Sequence, residues 1–124
     1  MKIILPILFI FILSSSALKA NDSPDLLTLY KELHAFPELS FKEEKTSKKL
    51  ADILKVLGFE VTENFGGYGV VALLENGEGK TLMLRADMDG LPVKELTGAS
   101  YSSKTKSFNQ VGDEVFTMHA CGHD

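Results

Sequence analysis

The spacing of apolar residues along this chain changes from helical to strand-like, and that order limits the fold more than any other feature. Apolar residues recur every three or four positions at 24–36 and at 40–57, which predicts two amphipathic helices. Short apolar runs follow at 59–65, 70–74 and 81–86, which predicts three strands. Two helices followed by three strands fit the opening of an α/β or α+β domain.

Capping residues mark the ends of both predicted helices. Ser23 is expected to cap the first helix, with Pro24 at the first helical position, where its missing N–H costs nothing. Ser40 is expected to begin the second helix, and Glu43 three residues later would complete a capping box. Gly58 is expected to end that helix, because glycine readily adopts the left-handed conformation found after a helix C-terminus.

The second half of the chain loses regular periodicity. A turn-forming Asn-Gly-Glu-Gly sequence at 76–79 predicts a hairpin between the last two strands. The stretch 87–116 is predicted to be a loop. A loop of roughly thirty residues is usually either functional or part of a domain that the sequence contains only in part. No closing element follows the polar motif at 118–124. We therefore expect an incomplete domain.

The first twenty residues have the three parts of a secretory signal peptide. Lys2 is basic, 3–13 is an apolar run, and 14–20 is rich in serine and alanine. The run of about eleven residues is shorter than the roughly 20 that a bilayer core requires. We expect a signal peptide at 1–20 and an exported mature chain at 21–124, periplasmic or secreted, with no membrane contact after cleavage. An uncleaved membrane anchor is the alternative.

Charge and cysteine content exclude two classes of protein. The formal net charge is −4, and the lysines at 42–49 alternate with glutamates, which is typical of a solvated helix face rather than a nucleic-acid site. A single cysteine, Cys121, excludes an internal disulfide framework. Cys121 could instead be a metal ligand, a nucleophile, a partner in an intermolecular bridge or a core residue.

Four side chains able to bind a metal or transfer a proton lie within the stretch 118–124: His119, Cys121, His123 and Asp124. Thiolate and imidazole are preferred ligands of zinc and similar ions. In an extended segment His119, Cys121 and His123 would point to one side, because side chains alternate with period two. A thiol nucleophile activated by a neighbouring histidine is the competing interpretation.

Two further polar stretches are less specific. Asp87 and Asp89 follow the predicted strand at 81–86, where they could hold a metal or orient a ligand, or simply form a polar strand exit. His34 and Glu38 lie between the predicted helices. We interpret that stretch as a structural junction.

Taken together, four stretches resemble the amidohydrolase branch of the aminoacylase and carboxypeptidase-type dimetal metallopeptidases. The matching sequences are LHAFPELSFKE at 33–43, GGYGVVA at 66–72, RADMDGLPVKE at 85–95 and MHACGHD at 118–124. They occur in the family's order and at similar spacing. The resemblance implies the N-terminal part of a zinc-peptidase-like α/β/α catalytic domain.

The same resemblance implies a pair of divalent ions, with zinc, manganese, nickel and cobalt as the candidates. Cys121 and His123 match ligands of the family. Asp87 stands where sister branches have a metal-binding histidine, so a supporting role is expected for it. The full set of residues expected to support the metals is Asp87, Asp89, His119 and Asp124.

The resemblance also implies hydrolysis of the amide bond of N-acyl amino acids or related small amides and peptides, by a full-length protein that could be a homodimer. In this family the general base belongs to a glutamate pair that follows the C-G-H-D motif. No catalytic base is therefore expected within 21–124, and the chain alone should be inactive and only marginally folded. The alternatives are a non-catalytic exported protein that binds metal or acyl-amino acids, and a short secreted interaction module.

Overall fold

A computed structural model describes residues 24–124, which form two helices and two small antiparallel sheets. The predicted signal peptide at 1–20 lies outside the described residues. Within them, no helix has the length and apolarity to cross a membrane. The elements, in chain order, are α1 Leu26–Ala35, α2 Glu44–Val56, β1 Glu60–Phe65, β2 Gly69–Leu73, β3 Lys106–Phe108 and β4 Glu114–Phe116.

Helix α1 begins two residues later than the sequence predicts. Its N-cap is Asp25, whose side chain accepts a hydrogen bond from the Leu27 N–H at 3.3 Å and another from the Thr28 hydroxyl at 2.5 Å. Pro24 lies before the helix, so the prediction of Ser23 as cap and Pro24 as first helical residue was wrong. The Asp25 carboxylate satisfies a free N–H of the first turn, and the helix therefore starts there.

The start of helix α2 is capped from a distance. Its N-cap residue Glu43 makes no side-chain hydrogen bond to the helix, so the predicted capping box was wrong. The Glu38 carboxylate instead accepts from the Lys45 N–H at 3.2 Å and the Thr46 N–H at 2.7 Å. An anion there satisfies two free donors and complements the helix dipole. The hydroxyl of Ser40 is used elsewhere, as a donor to Asp89.

The end of helix α2 confirms the role predicted for Gly58. Its φ is +88°, and its N–H donates to the Lys55 carbonyl at 3.0 Å. The next N–H, of Phe59, reaches back to the Leu54 carbonyl at 3.0 Å. This pair of bonds is the Schellman arrangement, and it directs the chain straight into β1.

Strands β1 and β2 confirm the first two predicted strands. They pair antiparallel, with Glu60 opposite Leu73 and Phe65 opposite Gly69, and an irregularity interrupts the register between Thr62 and Phe65. Helix α2 packs against both strands. Its buried positions carry small side chains, with Ala51 at the centre. The larger apolar residues of the helical pattern are only half-buried: Leu50, Ile53, Leu54 and Leu57.

The third predicted strand is absent. Residues 81–86 form no strand and have no partner strand within 24–124, so the hairpin predicted across 76–79 is not formed. Leu82, Met83 and Leu84 are 82%, 84% and 88% exposed. Three adjacent apolar side chains at this exposure form an uncovered surface.

A hairpin that the sequence did not predict lies inside the stretch 87–116. Strands β3 and β4 pair antiparallel with Ser107 opposite Val115. The loop between them is closed by Asn109, whose side-chain oxygen accepts from the N–H groups of Val111 at 3.0 Å and Asp113 at 2.9 Å. A local turn of this kind explains how a stretch without periodicity becomes ordered.

Gly90 brings the second half of the chain onto the helix junction. Its N–H donates to the Glu38 carbonyl at 2.6 Å. A Cβ built on Gly90 would lie 2.8 Å from the Pro37 Cβ and 3.0 Å from the Thr117 Cγ2. Only glycine fits at this crossing without displacing its neighbours.

Replacing Glu38 by alanine should lower the free energy of unfolding by about 1–2 kcal/mol, because two N–H groups at the start of α2 lose their acceptor. The measurement is urea denaturation of the protein. Glu43→Ala is the matched control, since Glu43 makes no capping bond and should cost much less. Equal losses in both variants would contradict capping by Glu38.

Candidate metal centre

Two backbone hydrogen bonds join the polar stretches at 85–95 and 118–124. The Leu91 N–H donates to the Met118 carbonyl at 2.8 Å, and the Met118 N–H donates back to Leu91 at 3.0 Å. The pairing brings Asp89 beside His123, although 34 positions separate them in sequence.

One nitrogen of the His123 ring is held by Asp89. Nδ1 lies 2.9 Å from Asp89 Oδ1 and 3.1 Å from the Asp89 carbonyl oxygen. The hydrogen bond from Ser40 lowers the pKa of Asp89, partial burial opposes this effect, and His123 lowers the pKa further. Asp89 is therefore an acceptor that fixes the ring, a role that carboxylates commonly have beside metal-binding histidines.

The other ring nitrogen of His123 faces Asp87. Nε2 is 4.0 Å from Asp87 Oδ2, beyond hydrogen-bonding distance. Asp87 is itself paired with the Arg85 guanidinium, which donates to both carboxylate oxygens. Because the arginine already uses those oxygens, the pairing favours the supporting role expected for Asp87.

The C-G-H-D segment does not alternate as an extended strand would. Gly122 has φ +71°, and the chain turns there. Cys121 is exposed, whereas His119 is 4% exposed, so the prediction that both share one side with His123 was wrong. No hydrogen-bond partner for either ring nitrogen of His119 is found in the part of the chain described here, and burial lowers the pKa of His119.

The donor chemistry of this region suits a borderline divalent ion. Cys121 offers an exposed thiol. Within residues 24–124, His123 Nε2 makes no hydrogen bond, while Nδ1 is fixed by Asp89. Among residues 24–124, however, no three histidine, cysteine, aspartate or glutamate side chains gather closely enough to hold an ion. Cys121 and His123 remain the predicted ligands, and a closed coordination shell needs donors beyond those described.

A second cluster, which the sequence did not predict, surrounds His34. Its Nδ1 lies 2.5 Å from Asp124 Oδ2, and its Nε2 lies 3.2 Å from Glu95 Oε1. The rings of Tyr30 and Tyr101 pack against the imidazole, with centroids 5.7 and 5.4 Å away. His34, Glu95 and Asp124 come from three of the four motif stretches, which is the signal that sequence reasoning overlooked when it treated His34 as part of a junction.

The partners of His34 determine its charge. Both are carboxylates, so a ring that donates to both must be the imidazolium. Burial lowers the pKa of His34, but the hydrogen bonds to Asp124 and Glu95 outweigh burial and raise the pKa above its ordinary value. Burial raises the pKa of Glu95, and the bonds from Thr97, the Ser103 N–H and His34 overcome it, so the net shift is downward.

Comparison with known proteins identifies the class. No family profile matches the chain. Thermostable carboxypeptidase 1 of Saccharolobus solfataricus is 44% identical over 101 residues, which cover 80% of this chain and 23% of that protein. Hippurate hydrolase of Campylobacter jejuni is 42% identical over 112 residues, which cover 84% of this chain and 27% of that enzyme. Both of these relatives are hydrolases by name, and the chain spans about a quarter of their length.

The fold agrees with this class. A dinuclear metal-binding peptidase of the M20 family from Bacillus subtilis superposes with a TM-score of 0.67 at 33% identity, over 83% of this chain and 27% of that one. The mixture of helices and strands is thus that of an M20 peptidase domain. Over about four-fifths of its own length the chain is similar to amidohydrolases and peptidases of the M20 family, as the resemblance of its four motif stretches implied.

Glu95→Gln should lower the pKa of His34, because one of its two carboxylate partners becomes neutral. Titration of the histidine side chains by NMR measures this change, with Glu44→Gln at the exposed start of α2 as the matched control. Because the folded-state pKa is raised, the stabilisation by His34 is full below its ordinary pKa of 6.5 and is lost as the pH rises through the folded value. An unshifted titration in Glu95→Gln would contradict this pairing.

Proposed function

We propose that this chain is the N-terminal part of an exported enzyme that hydrolyses the amide bond of N-acyl amino acids with a pair of divalent metal ions. The observation that carries the proposal is the geometry of His123. Its Nδ1 is fixed by Asp89 and its Nε2 remains available, two residues after an exposed cysteine. The similarity to hippurate hydrolase supports the substrate class.

In this proposal the residues of this chain bind the metal ions and orient the ligands that hold them. Cys121 and His123 would bind the ions, while Asp89, itself held by Ser40, keeps the His123 ring in position and its proton on Nδ1. When bound, the ions polarise the amide carbonyl and activate water. The buried carboxylates Glu95 and Asp124 are committed to His34, so neither is free to accept a proton from water. The general base is proposed to lie outside the residues that the structure describes.

Several finer features are part of the same proposal. The thiolate of Cys121 makes the site softer than an all-carboxylate one, which favours zinc, manganese, nickel or cobalt over magnesium. The leader-like sequence at 1–20 supports export to a periplasm or the medium. A homodimer of the full-length protein is proposed from the family resemblance alone.

Cys121→Ser in the full-length protein should remove bound metal and abolish amide hydrolysis, because the hydroxyl is a far weaker ligand than thiolate. Metal content by mass spectrometry and turnover of hippurate are the two measurements. Ser100→Ala, an exposed position whose side chain makes no hydrogen bond with residues 24–124, controls for unspecific effects. Metal retained at the wild-type level together with full turnover would exclude Cys121 as a ligand.

Asp89→Asn should weaken metal binding by roughly 10- to 100-fold, the usual effect of losing the carboxylate that orients a metal-binding histidine. The measurement is competition with a chromogenic chelator. Asp52→Asn is the matched control, since Asp52 forms an exposed ion pair with Lys48 on α2 and has no contact with the site. If both variants bind metal equally well, Asp89 has no supporting role.

A further inference from the structure

We propose that His34 is a positioning residue for the metal centre. Through its hydrogen bond to Asp124 it fixes the backbone next to His123, and so the direction in which His123 presents Nε2. The inference rests on the proposed function, because it concerns the same metal ligand. His34 itself lies outside the ligand set, and the metal-binding motif contributes only Asp124 to the contact.

The first argument is the dependence of Asp124 on His34. The Asp124 side chain is 4% exposed, and His34 is the hydrogen-bond partner that the described residues offer it. Glu95, in contrast, also accepts from the Thr97 hydroxyl and from the Ser103 N–H at 2.5 Å. A buried carboxylate with one partner loses its compensation when that partner is removed, whereas one with three does not. The His34–Asp124 bond is therefore the critical one.

The second argument is that the residues around His34 hold its ring rigidly. His34 lies in the last turn of α1, where the helix dipole favours a positive charge. Tyr30, one turn earlier on the same face, and Tyr101 enclose the ring edge. Glu95 holds the opposite nitrogen. The imidazole thus has one orientation, and it transmits the position of α1 to Asp124.

The third argument is that His123 is held from two sides. Asp89 fixes its ring through Nδ1, but a hydrogen bond to a ring nitrogen leaves the backbone free to rotate about it. Gly122, immediately before His123, has φ +71° and adds no steric restraint of its own. The Asp124 contact anchors the chain on the other side of His123. Both anchors together define where Nε2 points.

The experiment uses two substitutions that separate the two ring nitrogens. In asparagine the side-chain amide nitrogen takes the place of histidine Nδ1, so His34→Asn keeps a donor to Asp124 and loses the bond to Glu95. In glutamine the amide nitrogen takes the place of Nε2, so His34→Gln keeps the hydrogen bond to Glu95 and loses the hydrogen bond to Asp124. The two variants are equally neutral, and each serves as the control for the other.

The readouts are cobalt affinity and the visible absorption spectrum of the cobalt-loaded full-length protein. We expect His34→Asn to retain affinity and spectrum close to wild type. His34→Gln should bind cobalt roughly tenfold more weakly, with an altered spectrum, because the ligand geometry is no longer fixed. Thermal melts of both variants check that the fold is intact. Equal behaviour of the two variants, or a loss confined to His34→Asn, would overturn the inference.

A metal-free readout separates this inference from the proposed function. Hydrogen exchange at the backbone N–H groups of 119–124 should be faster in His34→Gln than in His34→Asn, whether or not metal binds. If the wild-type protein binds no metal, the proposed function fails, and hydrogen exchange still decides whether His34 orders this segment. If wild type binds metal but exchange is identical in both variants, the positioning role alone is wrong.

Discussion

The hydrogen bond from the Gly90 N–H to the Glu38 carbonyl is the contact on which the arrangement of this chain depends. Glu38 also caps α2 through its carboxylate, so one residue fixes both the start of a helix and the position of a distant loop. The absence of a Cβ at Gly90 permits the close approach. Because Asp89 immediately precedes Gly90, the carboxylate that holds His123 is set by a backbone contact to the helix junction.

Helix propensity and strand spacing were sufficient to predict four of the six regular elements, because those signals are local. Both helices, β1, β2 and the turn at Gly58 were predicted within a few residues. The capping of α2 by Glu38 was missed because the acceptor lies outside the helix and its capping motif. The run at 81–86 has strand-like composition, but a strand also requires a partner, and none is present within 24–124.

The candidate site was also predictable only in part, because sequence patterns contain local information and not contacts between distant residues. The types and spacing of Cys121 and His123 indicate metal chemistry, and that information lies within six residues. The His34 cluster joins residues up to 90 positions apart, so no local pattern contains it. Its members became visible only when the helix junction and the two later stretches were brought together by backbone pairing.

The packing of two tyrosines on His34 has a practical consequence. The chain contains three tyrosines and no tryptophan, so tyrosine dominates its intrinsic ultraviolet fluorescence. The ring centroids of Tyr30 and Tyr101 lie within 6 Å of the imidazole centroid, so the fluorescence of two of the three tyrosines is expected to respond to changes at His34. The chain thus carries an intrinsic optical reporter of the contact between α1 and the metal-binding segment, and that contact can be followed without any added label.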